Sequence, residues 1–165
     1  MNHATARQII ADRIEAITPS SDYVSAGAAT DGCTWHETPY PLIPEYPMQP
    51  ELLAPLGFWV DNRSVGYTPT RSGHDPVYIN AAITIYFAFP MRDLGPYNDD
   101  WDRSAYALEA LVDQLLDPTW AESAGDGGLC LVLDPALGSA VALPFPAGAP
   151  WVIWSHPFRI LYERT

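Results

Sequence analysis

The residues best placed to do chemistry lie in the run DLGPYNDDWDRSAY, where Asp93, Asp99, Asp100 and Asp102 follow one another closely. Carboxylates at this density could offer several oxygens to Mg²⁺ or Ca²⁺. A small hydrolase could use Asp100 or Asp102 with such a metal, and the Asp99–Asp102 cluster is kept as that alternative. A helix-loop-helix calcium site, however, needs alternating ligands, a central glycine and a distal bidentate glutamate, and NDDWDRSAYALE lacks that glycine. Acidic side chains are also what the start of a helix selects, because four backbone N–H groups are free there and the macrodipole is positive. Asp99 or Asp100 is therefore expected to cap a helix, with Asp99 able to pair with Arg103 four residues on. Arg92, just upstream, either pairs with Asp93 or Asp99 or meets a partner's carboxylate.

Other reactive types are scattered. His3, His36, His74 and His156 have no second histidine or cysteine at ligand spacing, and Cys33 and Cys130 belong to no CxxC pair. His36-Glu37 lacks the second histidine of a zincin, and no serine sits in a G-x-S-x-G elbow. Ser104 falls in an expected helix and Ser155 in an expected strand, with nothing to mark either as a nucleophile. The glycines of Ala124-Gly-Asp-Gly-Gly128 precede a strand, so they form a hairpin loop and not a phosphate cradle. No catalytic residue, metal ligand or cofactor is assigned.

The elements that would carry these groups follow from periodicity. Thr5-Ala-Arg-Gln8 has the form of a capping box, and Ala6, Ile9, Ile10, Ile14 and Ile17 recur at helical spacing until Thr18-Pro19. Phe58 to Val65 reads as a strand with a polar middle. Val77 to Phe89 is the strongest strand, with Val77, Ile79, Ala81, Ile83, Ile85, Phe87 and Phe89 on one face and Tyr78, Ala82, Thr84 and Tyr86 on the other, closed by Pro90. The second helix starts at the carboxylates and buries Trp101, Ala105, Leu108, Leu111, Val112, Leu115 and Leu116, stopping at Asp117-Pro118. Strands follow at 129–133, 140–143 and 151–164, where Pro157 suggests a bulge or an edge position. Helices separated by groups of strands predict an α+β fold, an antiparallel or mixed sheet with two helices on one face.

Between the first helix and the first strand, six prolines from Pro39 to Pro55 deny the backbone both a helix and a central strand. The segment from about 38 to 56 is expected to be an extended arm. Tyr40, Leu42, Ile43, Tyr46, Met48, Leu52 and Leu53 give it an apolar side, which covers either its own domain or a neighbour. Tyr40, Leu42, Tyr46 and Met48 of the arm, with Trp59 and Arg92, are the candidate partner contacts.

With 165 residues, the chain is expected to be one domain. The N-terminus lacks the order of a signal peptide and no apolar run is long enough to span a bilayer, so a soluble, non-secreted protein is expected. Twenty acidic residues against eight basic ones, all arginine, give a net charge of −12. Such a surface repels phosphate and argues against a nucleic-acid-reading module. Only 17% of residues are charged, against a usual share of about 25%, while 12% are aromatic. Apolar surface is then left to cover, which favours an oligomer.

In order and local texture, the helix TARQIIADRIEAITP, the strand ITIYFAFPMR, the acidic-capped helix DDWDRSAYALEALVDQLLDP and the last strand WVIWSHPFRILYER resemble the tail terminator, or tail completion, proteins of long-tailed bacteriophages and related particles. The Pro-rich segment departs from the compact members. The resemblance implies a non-enzymatic α+β subunit of the virion tail or neck, assembled in the host cytoplasm. It implies a homo-oligomeric ring, commonly a hexamer, that ends the tail tube and meets the head connector, with DNA passing through the channel without specific binding. A head-tail adaptor would share these features.

Overall fold

A computed structural model describes residues 1–19, 34–39, 41–43, 56–61, 77–90, 100–119, 128–143 and 151–164. Among the described residues two α-helices, α1 (His3–Ala16) and α2 (Asp100–Leu115), accompany six strands: β1 (Trp35–Glu37), β2 (Leu56–Asp61), β3 (Val77–Pro90), β4 (Cys130–Val132), β5 (Val141–Ala142) and β6 (Trp151–Arg164). The sheet runs β1-β2-β3-β6-β4, with β5 also paired to β6. It is mixed, because β1 pairs parallel to β2 while all other pairs are antiparallel. The fold is therefore α+β.

β3 and β6 form the centre of the sheet and stay in unbroken register from Val77↔Arg164 to Pro90↔Trp151. The alternation read in β3 sorts its two faces as expected. Ile79, Ala81, Ile83, Ile85, Phe87 and Phe89 are buried, as are Val152, Phe158, Ile160 and Tyr162 opposite them on β6. Onto this face pack Ala6, Ile10, Ala11 and Ile14 of α1 and Ala107, Leu108, Leu111, Val112 and Leu115 of α2, so both helices share one side of the sheet. Trp35 of β1 closes the core at one edge, with its ring edge-on to Phe87 at 5.6 Å and Phe89 at 5.3 Å.

Several local readings are corrected. The N-cap of α1 is Asn2, whose side chain accepts from the Thr5 N–H at 2.8 Å and the Thr5 hydroxyl at 3.0 Å. Thr5 thus lies inside the first turn, and Gln8 donates to Asp12 instead of reaching back to a cap. The asparagine carbonyl satisfies a free N–H of the first turn, one turn earlier than a cap at Thr5 would have done. α1 ends at an extended Ile17, short of Pro19.

Strand β1 lies between the first helix and the Pro-rich arm, where no element was expected, and three residues of alternation are too few to announce one. β2 starts at Leu56, two residues ahead of the expected Phe58, and includes Asp61 of the expected polar middle; residues 62–65 lie outside the described residues. Pro157 is neither at a bulge nor on an edge strand. β6 has neighbours on both sides, and Leu143 N–H donates to the Ile153 carbonyl, so odd-numbered residues of β6 direct their backbone groups toward β4 and β5. Pro157 falls between the stretch paired with β5 (Trp154, Ser155) and the stretch paired with β4 (Arg159 to Leu161). Its missing N–H faces a gap in the ladder, so a central strand keeps a proline without losing a bond.

Candidate functional site

The carboxylate run resolves into a helix start. α2 begins at Asp100, and Asp102 in its first turn is exposed, an arrangement favoured by the helix dipole. Arg92, Asp93 and Asp99 lie outside the described residues. Among the described residues, no group of three or more His, Cys, Asp or Glu side chains is placed to hold a metal ion.

The two serines are engaged in structure. Ser104 is fully buried, donates to the Trp101 carbonyl at 2.8 Å and accepts from Trp154 Nε1 at 2.9 Å. Ser155 donates to the Val141 carbonyl at 3.2 Å, fastening the short strand β5 to β6. His36 is exposed beside the Thr34 hydroxyl at 3.1 Å, and His74 lies outside the described residues.

His156 is buried on the helix-facing side, stacked on Phe158 with ring centroids 4.3 Å apart. Its Nδ1 lies 3.0 Å from the Pro157 carbonyl, which only accepts, so in this contact Nδ1 carries the proton. Burial pushes its pKa below the ordinary 6.5, an effect the carbonyl partly opposes. His3 is lowered by burial as well, and its Nε2 is buried without a hydrogen-bond partner. Cys130 is a half-buried free thiol, and Cys33 lies outside the described residues.

Charged pairs tie elements together. Arg7 of α1 pairs with Glu37 of β1, while the Glu37 N–H reaches Glu15 Oε1 at 3.4 Å. Burial raises the Glu37 pKa, Arg7 opposes the rise, and Glu15 and Asp12 add to it. Asp134 accepts from the Ala136 N–H at 2.9 Å, opening a 3-10 turn, and from Arg159 Nε at 2.6 Å; these two contacts hold its carboxyl below the usual range. Arg159 also donates to Asn80 Oδ1 at 2.8 Å, so one guanidinium links the turn to β3. Arg13 is buried and donates to the Leu129 carbonyl at 3.0 Å. Sequence periodicity gave no sign of these contacts of three arginines, because each joins residues far apart in the chain.

A small crevice opens between the end of α1 and α2, lined chiefly by Ile17, Pro19, Trp35, Leu56, Phe89 and Leu111. Its lining is apolar apart from Thr18 and Gln114 and contains no titratable side chain among the described residues. It is a gap in packing, with none of the convergent polar groups of a substrate site.

The less usual surface is the other face of the sheet, where no helix lies among the described residues. At one end Trp59, Tyr86, Leu143 and Trp151 are half-buried around a second cluster of Leu42, Ala88 and Ile153. Trp59 and Tyr86 stand opposite each other in register with rings 5.4 Å apart. The outer face of a two-layer domain ordinarily carries polar residues. Here that alternation holds toward Asn80, Thr84 and Arg159 and fails toward Trp59 and Trp151.

Of the candidate partner contacts, Trp59 belongs to this apolar end, and Leu42, 1% exposed, is turned onto it as well. Tyr40, Tyr46, Met48 and Arg92 lie outside the described residues. Trp101, expected in the buried stripe of α2, is instead 44% exposed, its ring edge-on to Trp154 at 6.4 Å. The position facing the core is taken by Ser104. Tyr106, Val132, Leu133 and Val141 are the other exposed large apolar side chains among the described residues. Neither a scan against protein-family models nor a search of curated proteins matches the chain.

Proposed function

We propose that this chain is a non-enzymatic structural subunit of a phage-like tail or neck. It forms a homo-oligomeric ring that ends the tail tube and joins it to the head connector. The observation that carries the reading is the order helix, long strand closing as ITIYFAFPMR, acidic-started helix and long aromatic last strand, which resembles the tail terminator proteins. In this chain those four segments are α1, β3, α2 and β6, which supply most of the core.

Two physical features support a ring subunit. A sheet with helices on one side and Trp59, Tyr86 and Trp151 on the other has apolar area suited to a neighbour of the same kind. In a ring that contact is heterologous and closes on itself. The charge of −12 suits a channel along which DNA slides without phosphate anchoring. Catalysis is not part of the reading, which rests on the order of these four segments and on the apolar end of the sheet.

Deleting the gene from a particle that carries it tests the role. Tail tubes that run past their normal length and fail to join heads are the expected result. Tubes of normal length on infectious particles would overturn it.

A further inference from the structure

We draw no further inference here: the strongest candidate, the apolar end of the helix-free sheet face around Trp59, Tyr86 and Trp151, carries none because, beyond Leu42, nothing in the structure shows what covers it.

Discussion

The indole N–H of Trp154 on β6 donates to the Ser104 hydroxyl on α2 at 2.9 Å, and that hydroxyl donates in turn to the Trp101 carbonyl at 2.8 Å. One fully buried serine thereby fixes where the second helix sits along the central strand. Replacing Ser104 by Ala leaves the Trp154 N–H without its acceptor, a loss of about 1–2 kcal/mol. Urea unfolding followed by tryptophan fluorescence measures it. An unchanged midpoint would show that the hydroxyl does not hold the helix.

Burial keeps His156 neutral in the folded protein, with its pKa below the ordinary 6.5. The unfolded chain then binds more protons in that range, so the stability this group contributes is present above pH 6.5. It is lost as pH falls from there through the folded pKa. His3 shifts in the same direction and adds to the trend. His156→Phe keeps an aromatic ring against Phe158 and removes the titration. Between pH 7.5 and about 5, thermal unfolding of the variant is therefore expected to decline less steeply than that of the parent. Parallel curves for the two proteins would remove His156 from the account.

Leu42 is 1% exposed and packs with Ala88 and Ile153 on the face opposite the helices. Leu42→Ala is expected to lower stability by roughly 2–4 kcal/mol, the usual range for a leucine truncated in a packed interior. Because Trp59 and Trp151 border the same cluster, the folded variant should also emit at longer wavelength. A variant with native stability and native emission would mean that this part of the Pro-rich arm does not anchor on the sheet.

How far the chain could be read depended on the length of each pattern. β3 shows thirteen residues of period-two alternation from Val77 to Phe89, and both its bounds and its buried face were legible. The helical pattern puts Asp102, Arg103, Glu109, Asp113 and Gln114 on the water side of α2; all are exposed except Arg103, which is half-buried. Trp101 misled because hydrophobicity places a residue near an apolar stripe without saying whether the sheet reaches far enough to cover it. β1 has three residues and owes its place to β2, and nothing local announces such a strand. Asn2 displaced Thr5 as the cap because the helix starts one turn earlier than the Thr5–Gln8 pattern suggests, at His3, and asparagine caps a helix at least as well as threonine. Asp100 and Asp102 were legible as part of a helix start, whereas the Asp134–Arg159–Asn80 link joins a turn and two strands and leaves no mark on local sequence.

The central claim is self-association into a closed ring, and the mass of the purified full chain in solution tests it most directly. Light scattering or native mass spectrometry at near-physiological salt should give an integer multiple of the 18.2 kDa chain, about six copies by resemblance to the tail terminators, either alone or on addition of tail tubes. A chain that stays at 18.2 kDa under both conditions and leaves tail tubes uncapped would contradict the account.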